Sequence, residues 1–200
     1  MNRGRPASAS QVRIIGGQWR RRVLRFPAST GLRPTPDRVR ETLFNWLGQN
    51  LEGLACLDLF AGSGALGFEA ASRGAARVVL VERSPEALAA LKNNRQILKA
   101  EDVVELIGAD ALKFAAAYQD TAGGANENVA VNKPRFDLLF ADPPYRQGWT
   151  ERLAPLLPHL LADDGRLYLE AEHPVAALGA WKTVRQGQAG QVYFHLLQQV

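Results

Sequence analysis

The chain is poor in the residues that carry most enzyme chemistry: one cysteine, Cys56, and three histidines, His159, His173 and His195, in 200 residues. A single cysteine excludes an internal disulfide and fits a reducing compartment. The histidines are scattered, with no cysteine or acid beside them at ligand spacing, so no metal site is expected. Each reads as a surface side chain or a satisfied, partly buried one. Cys56 falls within an apolar run and reads as packing, which leaves no nucleophile for methylating carbon 5 of a pyrimidine. Ser63 lies between glycines but lacks the G-x-S-x-G spacing of a nucleophile elbow. No apolar run approaches the roughly 20 residues that span a bilayer. The arginines near the amino terminus are followed by no apolar core of a secretory signal. A cytoplasmic protein with no membrane and no metal is expected.

Hydrophobic content of 46% and charged content of 22% are ordinary for a globular protein, and the length suits one domain. The charge is unevenly spread. Residues 1–40 hold ten arginines against one acid, Asp37, whereas the remaining 160 residues hold 14 basic and 19 acidic groups. A mildly acidic body with an all-arginine arm is the footprint of a phosphate-rich partner. Arginine in place of lysine favours bidentate contacts to phosphates or base edges. Residues 1–11 are polar and are expected to be disordered. Residues 12–40 interleave their arginines with Val12, Ile14, Ile15, Trp19, Val23, Leu24 and Phe26, as a docked arm would.

Val12–Ile15 and Val23–Phe26 flank Gly16-Gly17, consistent with a small β-ribbon. Thr35 is placed as the N-cap of a helix with Pro36 at its first position and an apolar stripe at Val39, Leu43, Trp46 and Leu47. Residues 12–50 thus form a basic ribbon-plus-helix extension, and residues 51–200 a core in which strands and helices alternate. Strand-like runs are 54–59, 77–82, 103–107, 136–141, 165–170, 180–185 and 191–198; helix-like runs are 64–73, 84–99, 110–118, 148–162 and a short one near 174–178. Such alternation implies an α/β fold with a doubly wound, mostly parallel seven-stranded sheet. Only Gln186–Gly190 separates the last two strands, which makes a terminal antiparallel hairpin. Residues 119–135 read as an irregular insertion. The glycine-rich loop of the core begins only at Asp58, so a chain lacking residues 1–26 is expected to fold and to keep any ligand of that loop.

The first strand of the core runs into Asp58-Leu59-Phe60-Ala61-Gly62-Ser63-Gly64-Ala65-Leu66-Gly67, and Glu82 lies 20 residues beyond Gly62. Formally this is the G-x-G-x-x-G dinucleotide fingerprint with its ribose-binding acid. A pyrophosphate, however, seeks helix N-terminal N–H groups with no acid nearby. Asp58, four residues before Gly62, favours a ligand with cationic groups, such as S-adenosylmethionine. Asp110, followed by Ala111, is placed to meet an adenine amino group. A fourth strand end carries Asp142-Pro143-Pro144-Tyr145. Asp142 and the Pro143 carbonyl can accept the two N–H bonds of a base amino group, the prolines fix φ, and Tyr145 can stack on the base.

With these stretches, Arg13-Ile14-Ile15-Gly16-Gly17 with Trp19-Arg20, Gly31-Leu32-Arg33-Pro34-Thr35, and Asp37 to Asn45 resemble the RsmD-type 16S ribosomal RNA guanine-N2 methyltransferases. The likeness covers about residues 12–200. It implies a class I, Rossmann-like methyltransferase fold that uses S-adenosylmethionine. The implied target is the N2 amine of a guanine in 16S rRNA, guanine 966 in the usual numbering, within a partly assembled small subunit. Carried over by motif, Asp58, Phe60, Ala61, Gly62, Ser63, Gly64, Glu82, Asp110 and Ala111 would hold the cofactor, and Asp142, Pro143, Pro144 and Tyr145 the guanine. Arg13, Trp19, Arg20, Arg21, Arg22, Arg33, Arg38 and Arg40 are expected at the RNA, on a monomer. Arg21 replaces a residue that is often glycine, and Tyr145 stands where phenylalanine is common. D-P-P-Y also occurs in adenine-N6 methyltransferases, so an adenine target stays open. A non-catalytic RNA-binding module and a nicotinamide dehydrogenase are the other readings. The intact Asp142–Tyr145 motif weighs against the first; Asp58 and the arginine arm weigh against the second.

Overall fold

The computed structural model describes residues 9–28, 34–123 and 135–199. Its core is an eight-stranded sheet whose strands run, from one edge to the other, over residues 104–108, 77–82, 55–58, 136–141, 161–171, 192–199, 181–189 and 177–178. The central strands are β3 (Ala55–Asp58), β4 (Arg77–Glu82), β5 (Val104–Gly108), β6 (Phe136–Ala141) and β7 (Leu161–Ala171). They pair in parallel, while β8 (Ala177–Leu178), β9 (Trp181–Ala189) and β10 (Val192–Gln199) extend the β7 side in antiparallel pairs. Both faces of β3, β4 and β6 are buried, so these strands read as near-continuous apolar runs. Alternate residues serve opposite layers. In β4, Val78 and Leu80 pack with the amino-terminal elements and the helix over 65–72, whereas Val79 and Val81 pack with the helix that starts at Ala111 and the residues after β6.

One layer holds α1 (Asp37–Leu47), α2 (Ala65–Ser72) and α3 (Pro85–Leu98); the other holds α4 (Ala111–Gly123), α5 (Trp149–Leu153) and α6 (Leu157–Leu160). The expected helix over 148–162 is broken into α5, a 3₁₀ turn at Ala154–Leu156 and α6. Pro155 and Pro158 remove backbone donors there and prevent one continuous helix. The short helix expected near 174–178 is instead β8, which makes the sheet eight-stranded where seven strands were expected. Part of the expected 119–135 insertion is helical, because α4 runs on to Gly123 through an alanine-rich stretch. Residues 124–134 lie outside the described residues.

The amino-terminal ribbon pairs β1 (Ala9–Arg13) with β2 (Val23–Pro27) in antiparallel register, from Ala9 opposite Pro27 to Arg13 opposite Val23. Residues 9–11, expected to be disordered, are therefore strand; residues 1–8 lie outside the described residues. The first strand stops at Arg13, short of the expected Ile15, because the next groups are captured elsewhere. The amides of Ile15 and Gly16 each donate to the Glu69 carboxylate of α2, both at 2.8 Å. Gln18 N donates to Ser72 O, capping the end of α2, and Trp19 N donates to Ser72 Oγ. A side chain at Gly17, whose φ is +73°, would sit 1.8 Å from Ser72 O, so this approach demands glycine.

Glu69 is the hub of that junction. It is fully buried and pairs with Arg40 Nη1 of α1 at 3.2 Å and Arg73 Nη2 at 2.8 Å. Arg40, also fully buried, donates further to Thr35 O, Arg13 O and Asp37. Val12, Ile14, Leu24 and Phe26 of the ribbon region belong to the same core as Phe44, Phe68 and Phe140. Residues 12–26 are thus an integral wall of the domain. This burial weighs against the expectation that a chain lacking residues 1–26 still folds and binds its ligand.

Candidate active site

Strand order makes a site at the carboxyl edge of the sheet. From β3 the chain winds outward through β4 and β5 on one side, and β6 and β7 occupy the other. The gap between β3 and β6 is a topological switch point, where open α/β sheets bind ligands. Asp58 ends β3 and Asp142 follows β6, and both line a narrow pocket of about 70 Å³ with Phe60, Ala61, Gly62, Ser63, Ala65 and Leu66. Pro34 and Thr35, at the entrance to α1, complete its wall. The four strand-end acids lie along this edge in the order Asp110, Glu82, Asp58, Asp142, which is the sheet order of their strands.

The loop between β3 and α2 is shaped by its glycines and by hydrogen bonds to neighbouring strands. Leu59 N donates to Phe140 O and Ala61 N to Val81 O, tying the loop to β6 and β4. Gly64, at φ +77°, precedes α2, and a Cβ there would meet Leu91 and Phe68 at 2.6 Å. At Gly67 a Cβ would lie 2.0 Å from Leu80 Cδ2, so this glycine lets α2 lie against β4.

Each acid is held differently. Glu82 accepts Gly62 N through Oε2 at 2.8 Å and Ser84 N through Oε1 at 2.7 Å. A carboxylate has about four lone-pair sites, so two remain for a ligand's hydroxyls. Asp110 accepts Leu112 N and Lys113 N through Oδ1 and caps α4, leaving Oδ2 for another donor. Asp58 is 2% exposed and accepts Gly67 N at 3.1 Å. Burial pushes its carboxyl up to about 7, opposed by backbone hydrogen bonds from Gly67 and Phe60. Asp142 is half-buried, and no hydrogen bond from a described residue reaches its carboxylate. Burial first, then the charges of Glu170 and Asp58, raise its carboxyl well above the ordinary carboxylate range.

Beyond Asp142, Pro143 is buried, Pro144 is exposed and the Tyr145 ring is 47% exposed at the mouth of the site. Phe60 meets Trp149 of α5 edge-on at 4.7 Å between ring centroids, bracing the segment after Tyr145 against the loop between β3 and α2. The other chemical candidates are inert. Cys56 is buried and its thiol is pushed up to about 12. His195 Nε2 accepts Val175 N at 3.0 Å while Nδ1 faces Leu169 O, a satisfied neutral ring. Among the described residues, no group of three or more His, Cys, Asp or Glu is gathered for a metal.

The basic arm divides into two sets. Arg13, Arg20, Arg21, Arg22 and Arg38 are exposed, and Trp19 is half-buried against the core. Arg40 does not belong with them: its guanidinium is sequestered with Glu69, so it cannot meet an external phosphate without breaking the hub. Arg33 lies outside the described residues. Arg21 has φ +71°, a left-handed conformation that glycine adopts without strain. Thr35 is likewise not the N-cap expected from sequence. Pro36 takes the cap position, and the buried Thr35 hydroxyl donates to Glu170 instead.

Sequence reasoning missed Thr35, Tyr168 and Glu170 as parts of the site. The signal was present in one respect: Glu170 ends the 165–170 run and is a fifth strand-end acid, beside the four that were recognised.

The profile described as "Conserved hypothetical protein 95" matches residues 12–198. The chain belongs to this family. It is the RsmD-type family that the motifs resemble, and its relatives cover the chain nearly end to end. "Ribosomal RNA small subunit methyltransferase D" of Escherichia coli strain K12 is 41% identical over 203 residues, covering 99% of this chain and 95% of the relative. The protein of the same name from Haemophilus influenzae is 38% identical, covering 96% of each. Among solved structures, a putative methyltransferase from Escherichia coli superposes with a TM-score of 0.79 at 40% identity, covering 95% of this chain and 98% of that one. The Rossmann-like methyltransferase fold of the RsmD-type family is therefore the fold of this chain.

Proposed function

We propose that the protein is an S-adenosylmethionine-dependent methyltransferase that modifies the N2 amine of a guanine in 16S rRNA during small-subunit assembly in the cytoplasm. The observation that carries this reading is the edge row of acids at the switch point, ending in Asp142-Pro143-Pro144-Tyr145. When bound, S-adenosylmethionine supplies an electrophilic methyl group on a sulfonium sulfur. The residues fit it: Glu82 offers two lone-pair sites to a ribose, Asp110 offers an acceptor to an adenine amino group and the Ala111 amide, at the start of α4, a donor to its ring, and Asp58 faces cationic groups. Phe60 to Gly64 form the cradle between them, and the electrophile is already activated, so the chemistry needs no metal.

The target base is taken out of its stack at a cost of about a few kcal/mol. Tyr145 stacks on it, and Asp142 and the Pro143 carbonyl accept the two amine protons. The amine lone pair is conjugated into the ring and weakly nucleophilic. Acceptors on both protons favour the pyramidal, charge-developing transition state, and holding the nitrogen in line with the methyl group supplies further acceleration. The exposed arginines at 13, 20, 21, 22 and 38 hold the RNA backbone. The identities to proteins named ribosomal RNA small subunit methyltransferase D support rRNA as the substrate. An adenine-N6 target is the second reading, favoured by Tyr145 in the D-P-P-Y motif.

The test is transfer of a labelled methyl group to small-subunit rRNA, free or in assembly particles. Asp142→Ala should retain cofactor affinity and lose roughly 10²–10⁴-fold in turnover, the range for one positioned acid–base or electrostatic group. Transfer at the wild-type rate would remove Asp142 from the mechanism.

A further inference from the structure

The proposed reaction uses four of the five acids along the sheet edge and leaves Glu170 without a role. Glu170 is 5% exposed near the end of β7. Ala141 of β6 pairs with Leu169 of β7, so Asp142 and Glu170 are the next residues in register. Alternation puts them on the face of Phe140 and Tyr168 and not on that of Ala141 and Leu169. Glu170 Oε1 accepts two hydroxyl donors, Tyr168 Oη at 2.8 Å and Thr35 Oγ1 at 3.0 Å. Asp142 receives no such donor. The groups facing this pair are Asp58 from β3, Tyr168 from β7, Tyr145 from the loop after β6, and Thr35 from the entrance to α1. Among the described residues no cation forms an ion pair with Glu170. A buried, cation-free carboxylate is costly to keep, and such groups cluster at functional sites.

We propose that Glu170 is a positioning residue for methyl transfer: fixed by Thr35 and Tyr168, it sets a second negative charge against Asp142, which then takes the proton released by the methylated amine. This rests on the methyltransferase reading above. The amine nitrogen donates its lone pair to the methyl carbon. The carbon–sulfur bond breaks with its electron pair staying on sulfur, which becomes a neutral thioether. The nitrogen is left cationic until one N–H proton passes to an Asp142 oxygen and the bonding pair returns to nitrogen. Glu170 acts twice in this sequence. Its charge stabilises the nitrogen as it becomes positive, and it makes Asp142 a stronger proton acceptor, as one carboxylate does to a close neighbour. The directions agree: burial and the Glu170 charge raise the Asp142 carboxyl, while the Tyr168 and Thr35 hydroxyls oppose the rise that burial imposes on Glu170.

Glu170→Gln tests this, because a glutamine oxygen can still accept both hydroxyls while the charge is gone. Carbon-13 titration of the side-chain carboxyl of Asp142 is read in the unliganded wild type and variant, alongside pH–rate profiles and calorimetry with S-adenosylmethionine. Interacting carboxyls are coupled by about one pH unit or more. The Asp142 titration and the acid limb of kcat/KM should therefore both move down by about one unit. The kcat plateau should fall by at most about tenfold per unit of lost proton affinity, with cofactor affinity unchanged. Tyr168→Phe keeps every charge but weakens the hold on the Glu170 anion, so Asp142 should again titrate at lower pH. This second variant decides the matter if the glutamine variant does not fold. An Asp142 titration unmoved in the folded variant would overturn the proposal. If wild-type protein transfers no methyl group, the functional reading fails by itself, and the titration still decides whether the pair is coupled.

Discussion

Replacing Glu69 by Gln tests the junction between the amino-terminal ribbon and the body. The Glu69 carboxylate splits its acceptors: Oε1 takes Gly16 N and the Arg73 guanidinium, and Oε2 takes Ile15 N and Arg40 Nη1. A glutamine has one oxygen and one NH₂. Either orientation therefore turns two donor hydrogens toward a backbone N–H and a guanidinium that already need an acceptor. Arg40 is fully buried and Arg73 nearly so, and water cannot readily replace the missing partner. Breaking a buried ion pair by removing one charge costs about 3–5 kcal/mol. For a chain of this length each kcal/mol shifts Tm by about 2–4 °C, so a fall of roughly 6–20 °C is expected. Urea unfolding should show the loss in free energy. Limited trypsin digestion should show where it is felt, as faster cleavage after Arg20, Arg21 and Arg22. A loss below about 1 kcal/mol with unchanged cleavage would refute the hub and make residues 12–26 a detachable arm after all.

Three further outcomes follow from the site. The Asp58 carboxyl is raised to about 7, so between the ordinary carboxylate range and that value the folded protein keeps a proton that the unfolded chain releases. The unliganded protein should therefore lose stability as pH rises through that window, and Asp58→Asn should flatten the slope of urea-unfolding free energy against pH; an identical slope in the variant would contradict the assignment. Tyr145→Phe should leave kcat/KM nearly intact, whereas Tyr145→Ala should lose about 1–3 kcal/mol of stacking, roughly 5–150-fold, and equal effects of the two would rule out a stacking role. Neutralising exposed Arg20 and Arg21 together should reduce the slope of log K against log salt by about 0.7 for each phosphate of single-stranded RNA that the variant no longer neutralises, as filter binding across a salt series would show, and an unchanged slope would place the RNA elsewhere.

The fold was legible where local and global signals agree. The strands at 77–82 and 136–141 match the structure at both ends, because buried parallel strands are near-continuous apolar runs bounded by polar residues. The acids Asp58, Glu82, Asp110 and Asp142 were legible because each follows such a run. Sequence order could not show that the sheet sorts them into one row with Glu170 beyond; that depends on β6 inserting beside β3. Arg40 was misread because a charge count over the arginine arm cannot show that Glu69, 29 residues away, faces this one arginine in the core. The Thr35 N-cap failed for a similar reason. A buried Glu170, 135 residues distant, takes the hydroxyl that a local rule assigns to the helix start.

Methylation of a guanine amine in small-subunit rRNA is proposed to run through Asp142. Its most direct test is mass-spectrometric nucleoside analysis of that rRNA from a strain lacking the gene, complemented with either the wild-type chain or the Asp142→Ala variant. One N2-methylguanosine should disappear in the deletion strain, return with the wild-type chain and fail to return with the variant. An unchanged nucleoside profile, or the loss of N6-methyladenosine in place of N2-methylguanosine, would contradict it.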